Sequence, residues 1–205
     1  MFFKILYKLM IMKYFTLISL ILIMLLFYAC SKAEIIIYDF ESGTYENWIV
    51  EGDAFKDGPI QPSEEEINNN PEGGRYYSDS FGGDDNSIGT LTSTEFKIER
   101  NYINFLIGGG KHQELYIELL IDDLSVGKSH SLESDENLNL VAWDVKAYNG
   151  NSAVIRIVDN AVGGCGHLMV DDIYQSNKNA NTVITNYQLS YDINTDIPGL
   201  VEKTT

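Results

Sequence analysis

Residues 115–121 read LYIELLI, which puts Leu115, Ile117, Leu119 and Ile121 on one face and Tyr116 and Glu118 on the other. That period of two belongs to a half-buried β-strand and is incompatible with a helix. The pattern recurs: Ile155 and Ile157 alternate with Arg156. Strands are expected over 35–40, 89–98, 102–107, 115–121, 138–145, 153–159 and 167–174, with Gly, Asn and Asp between them. Asp122-Asp123 reads as a hairpin turn, and Asn149-Gly150 as a second tight turn, since both residues tolerate positive φ. No apolar helical stripe of useful length follows the first thirty residues. Short strands separated by turn signals predict an all-β fold, a jelly-roll or galactose-binding-like β-sandwich. Trp48 and Trp143 lie in strand-like surroundings and are expected in its core.

The N-terminus is of a different kind. Lys4, Lys8 and Lys13 precede an uncharged apolar run, 14–28, that ends at Ala29-Cys30. A basic stretch, an apolar stretch and a small residue before a cleavage point mark an export signal. The following Cys predicts a lipoprotein signal over 1–29, with Cys30 as the lipidated first residue. The competing reading is an uncleaved anchor helix, for which the apolar run is short. Both place the remainder outside the cytoplasm, lipid-anchored at the outer membrane or cell surface in the first case. Residues 30–177 then form the sandwich domain. Residues 178–205 are a linker and the start of a further strand, 182–193, either added to the sandwich or opening a truncated second domain.

Charge and cysteine content exclude several classes. The chain holds 14 basic and 30 acidic residues; without the three basic residues of the signal, 11 face 30, a formal charge of −19. Such a surface repels phosphate backbones and anionic lipid heads, so nucleic acid is not a partner and membrane contact is expected through the lipid anchor only. A neutral ligand or a cation suits it better. With Cys30 lipidated, Cys165 alone remains in the fold, so neither an internal disulfide nor a Cys-built zinc site is available.

The motifs YDFESGTYENWIVEGDAF (38–55), FGGDDNSIGTLTSTEFKI (81–98), YINFLIGGGKH (102–112), VAWDVKAYNG (141–150) and IVDNAVGGCGHLMVDDI (157–173) follow one another in a familiar order. The succession resembles the N-terminal β-sandwich that precedes the catalytic propeller in levanase-like glycoside hydrolase family 32 lipoproteins of Bacteroidetes. The resemblance implies a β-fructan or other neutral glycan as ligand, and a family 32 catalytic domain as partner. That family's Asn-Asp-Pro, Arg-Asp-Pro and Glu-Cys motifs do not occur in this sequence, so no catalytic role is carried over. Glycoside hydrolysis needs two carboxylates ~5–10 Å apart across a sugar site, and no motif here positions such a pair. Where the family usually has Trp, this chain has Cys165, which cannot stack on a sugar ring.

Three groups of candidate site residues follow. His112 and His167 each end a glycine cluster, Gly108–Gly110 and Gly163–Gly166; both clusters follow strands, so their loops are expected to converge at one end of the sandwich, with the histidines as candidate donors to sugar hydroxyls. The competing reading makes the glycines turn residues and the histidines locally satisfied. Tyr76 and Tyr77, assisted by Arg75, are candidates for an exposed stacking surface beside a long loop over 57–77. Asp39, Glu41 and Asp172 are candidates for a structural calcium, because jelly-roll sugar-binding domains often hold one between their first and last strands. Three functions stay open: a carbohydrate-binding accessory module, a structural or protein-interaction spacer, and an enzyme with an unrecognised His/Asp site.

Overall fold

The computed structural model describes residues 33–62 and 74–181, together with residues 13, 14 and 19. Cys30, the signal segment, the middle of the long loop and the strand expected over 182–193 lie outside the described residues. The described part of the chain beyond residue 33 is all-β apart from one 3-10 turn and a residue pair near 180.

Eleven strands follow in order: β1 (Ile35–Tyr38), β2 (Trp48–Gly52), β3 (Ser78–Asp79), β4 (Gly89–Ser93), β5 (Phe96–Lys97), β6 (Tyr102–Gly109), β7 (Leu115–Ile121), β8 (Leu124–Ser129), β9 (Asp135–Asp144), β10 (Ser152–Asp159) and β11 (Leu168–Ser176). They form two antiparallel sheets. The first runs β1-β11-β6-β9 with β3 also on β11; the second runs β2-β4-β10-β7-β8 with β5 also on β10. Alternation explains the layering. Phe105, Ile107, Leu168 and Val170 from the first sheet meet Leu91, Ile117, Leu119, Ile155 and Ile157 from the second in one buried cluster. Trp48 joins it at 8% exposure, and Trp143 packs against it with its ring 4.6 Å from Phe105.

Three differences from the sequence reading have local causes, and both expected turns are present. The run 89–98 breaks at Thr94-Glu95 into β4 and β5. The β7–β8 hairpin turns on Asp122 and Asp123, both at positive φ (49° and 63°) as a two-residue turn requires. β8 itself has too few apolar residues to announce a strand. Asn149-Gly150 is a tight turn as expected, with the Asn151 amide on the Tyr148 carbonyl (3.0 Å) and Gly150 at φ 93°, and it joins β9 and β10 across the two sheets. Glu118, on the outward side of β7, is buried rather than solvent-facing.

β11 carries a bulge. Asp171 pairs with Leu106 and Tyr174 with Asn104, so three steps on one strand match two on the other, and Asp172 sits at φ 46°. The extra residue shifts the phase: Leu168 and Val170 point inward before it, Ile173 after it. Past β11 the chain lies against the outward side of the first sheet. There the fully buried Asn104 donates to the Lys178 carbonyl (3.3 Å) and accepts from the Ala180 amide (3.1 Å).

Candidate functional site

At one end of the sandwich the two glycine clusters do converge. The Gly110 amide donates to the His167 carbonyl (2.8 Å), and a Cβ on Gly110 would run into the Cys165 carbonyl. The 81–87 loop completes the group: the Gly163 amide donates to the Asp85 carbonyl (3.0 Å), and Phe81 meets the His167 ring edge-on at 5.7 Å. His167 is engaged by the protein itself, its Nδ1 lying 3.0 Å from Asp85 Oδ1. That hydrogen bond, helped by the Cys165 and Gly166 amides, holds the Asp85 carboxyl below its ordinary range. His112 is partly exposed, and its carbonyl accepts the Leu115 amide (3.3 Å) at the entry to β7. Cys165 is exposed at φ 58°, a position that suits a short side chain poorly and a glycine well.

Beneath these loops lies Asp159, fully buried between the sheets. Its Oδ1 accepts the Ala161 amide (3.1 Å), while the buried Oδ2 has no hydrogen-bond partner. Burial pushes its carboxyl up to about 6, against the opposing pull of the Ser80 hydroxyl and the Ala161 amide. No sequence motif singled out this residue; a lone acid ending an apolar strand was the available signal.

The second group lies beside β1 and β11. Tyr77 is in the core at 5% exposure, exchanging backbone hydrogen bonds with Ile60 (2.9 and 3.1 Å). Tyr76 is half-buried, its ring 3.2 Å from where a Gly43 side chain would begin. The expected stacking surface is therefore corrected: both rings are used in packing. Arg75 alone stays exposed, with Nε donating to Glu41 Oε2 (3.1 Å). Glu41 Oε1 accepts the Arg75 and Tyr76 amides. Burial alone would raise the Glu41 carboxyl, but these amides and the Arg75 guanidinium outweigh it and lower it.

The calcium candidates fare differently from expectation. Asp39 Oδ1 accepts the Glu41 amide (3.2 Å), and Asp172 is turned by the bulge. Both Glu41 oxygens accept protein donors, and Asp39, Glu41 and Asp172 are not grouped around one point. Among the described residues no three His, Cys, Asp or Glu side chains are grouped to hold a metal. The acid that organises this side is Asp171, the neighbour in sequence of the calcium candidate Asp172. It is 1% exposed, takes the Gly74 amide on Oδ2 (3.1 Å) and the Asp172 amide on Oδ1 (2.8 Å). Burial, reinforced by the neighbouring charges of Asp172 and Glu41, raises its carboxyl to about 7.

Comparison with known proteins adds one sequence relative and a set of folds. The chain is 35% identical over 150 residues to a protein of Aspergillus rugulosus named as a glycosyl hydrolase, ecdE. The match takes in 72% of this chain and 21% of that protein, so the chain spans about a fifth of its relative's length. No family model matches. Among solved structures, the carbohydrate-binding module TmCBM61 in complex with β-1,4-galactotriose aligns with a TM-score of 0.45 at 20% identity, over 66% of this chain and 92% of that one. A family 27 carbohydrate-binding module of Caldicellulosiruptor saccharolyticus in complex with mannohexaose aligns with a TM-score of 0.45 at 12% identity, over 73% of this chain and 100% of that one.

Proposed function

We propose that this chain is a non-catalytic carbohydrate-binding accessory module of a glycoside hydrolase system, with a neutral glycan as its ligand. The observation that carries the reading is the 35% identity to one fifth of a much longer protein named as a glycosyl hydrolase. A region of that size is one part of such a protein, and the two-sheet sandwich is an architecture made for presenting faces and loop ends rather than for enclosing a substrate. The two carboxyls held near neutrality, Asp159 and Asp171, are both buried and anchor backbone amides, which suits a scaffold. The motif succession favours β-fructan as the glycan and a family 32 propeller as the catalytic partner. Export and anchoring through Cys30 belong to the same proposal; Cys30→Ser should move the protein from the membrane fraction to the soluble one.

The test is calorimetric titration of the chain with levan and short fructo-oligosaccharides, with calcium and then with chelator. Saturable binding supports the module. The donor arrangement around Glu41 predicts that chelator changes nothing. One observation favours the spacer reading instead: Tyr76 and Tyr77 are consumed in packing, and Cys165 offers no ring. Heat from no glycan at all would establish that alternative.

A further inference from the structure

The outward side of the second sheet carries a row, polar in four of its five members, that the fold does not require. Register sets it: Ile49 lies opposite Thr92, Thr92 opposite Arg156, Arg156 opposite Glu118 and Glu118 opposite Lys128. All five are on the face away from the core, since their strand neighbours Leu91, Ile155, Ile157, Ile117 and Leu119 are in it. Five strands at their usual spacing make the row about 19 Å long.

Glu118 is the unusual member. Its side chain is 3% exposed although the strand turns it outward. Arg156 donates to its Oε1 through Nε (2.8 Å) and Nη2 (2.5 Å), and Lys128 Nζ stands 3.8 Å from its Oε2. Burying a carboxylate costs several kcal/mol that pairing only returns, and apolar residues of the same size serve stability as well. The adjoining outward positions show that this sheet accepts such residues, being Val154, Val158 and Leu120. Holding the sheet together does not require the ion triad. What it does is fix two long cationic side chains, each about 40% exposed (40% and 42%), in one place.

Beside the triad stands an aromatic ring. Lys128 Nζ lies 3.5 Å from the Tyr116 ring centroid, and His130 meets the same ring edge-on at 5.9 Å. His130 Nδ1 is held by the Leu115 carbonyl (2.8 Å), which fixes the ring. Donors and acceptors with capacity left for a ligand line the row: Thr92 Oγ1, Arg156 Nη1, Lys128 Nζ, Tyr116 Oη and His130 Nε2. The charges nearly cancel, with Glu118 against Arg156 and Lys128, and Glu51 nearby on Thr90 (3.2 Å). In a chain with 30 acidic and 14 basic residues, this is a face suited to an uncharged polyhydroxyl chain.

We infer that a neutral oligosaccharide binds across the strands of the second sheet, on Thr92, Arg156, Lys128, Tyr116 and His130, with Glu118 as the residue that positions the two cations. This rests on the carbohydrate-binding reading and names the place on the fold where it happens, away from the His167 loop end. The experiment titrates the full chain with levan oligosaccharides, β-1,4-galactotriose and mannohexaose, and with polygalacturonate as an anionic probe. Tyr116→Ala and Arg156→Ala should each weaken the best neutral ligand at least tenfold. Glu118→Gln should weaken it severalfold while the protein stays folded at the assay temperature, and Glu118→Asp, which keeps the charge that positions Arg156 and Lys128, should restore part of the affinity. Lys146→Ala, beside Tyr102 and Asp144 of the other sheet, should leave binding intact. Wild-type affinity that survives both Tyr116→Ala and Arg156→Ala in folded protein would overturn the face while leaving the glycan reading standing. Absence of binding to every neutral probe would overturn both, and a preference for polygalacturonate would overturn the neutral ligand.

Discussion

Asp159 and Asp171 are the residues whose chemistry departs furthest from their free behaviour. Both carboxyls titrate higher in the folded chain, near 6 and 7, than the ordinary value near 4. Between those limits the folded state holds protons that the unfolded state has released. Stability from these groups is therefore greatest in acid and is lost as pH rises through about 6 to 7. At about 1.4 kcal/mol per unit, the two together should make the protein a few kcal/mol less stable at pH 8 than at pH 5. Asp171→Asn, which keeps an acceptor for the Gly74 amide, should flatten that slope; denaturant melts at the two pH values measure it. An unchanged slope would mean that the carboxyl is ionised in the native state. None of this was legible in the sequence, where Asp171 stood as half of an Asp-Asp pair. Burial of an outward-facing acid depends on which loop lies over it, and no local pattern encodes that.

At the level of elements, the sequence was informative wherever alternation was strong. β7 and β10 match the expected runs almost to the residue, and the Asp122-Asp123 turn is where two short acids suggested it. β2, β3 and β8 were missed, because their residues are held in place by partners rather than by their own pattern. The convergence of the two glycine clusters was legible as well, while the identity of their third component, the 81–87 loop, was not. That convergence is testable. Gly110→Ala should lower stability by several kcal/mol, since its Cβ would meet the Cys165 carbonyl, a backbone atom that cannot swing aside. Gly164→Ala, with open space around it, should be close to neutral. Thermal melts of the pair compare them directly, and equal melting temperatures would show that the loops do not close as described.

For the molecule as a whole, the outward sides of the two sheets differ in use. On the first, Asn104 is fully buried and clasps the Lys178 and Ala180 backbone. Asn104→Ala should cost about 1–3 kcal/mol by leaving two backbone groups without partners; denaturant unfolding reads it. Loss of hydrogen-exchange protection in the variant should extend over 178–181. The same clasp bears on how the molecule would take a load. β1 and β11 are antiparallel neighbours, with Ile35 paired to Gln175, so the chain enters and leaves side by side at one end of the same sheet. Tension applied between those two points would open the β1–β11 ladder one hydrogen bond at a time, like a zipper, instead of shearing all its bonds together. The Asn104 clasp is the first thing such a pull would meet on the outgoing side, which makes a single carboxamide the catch on an otherwise compliant joint.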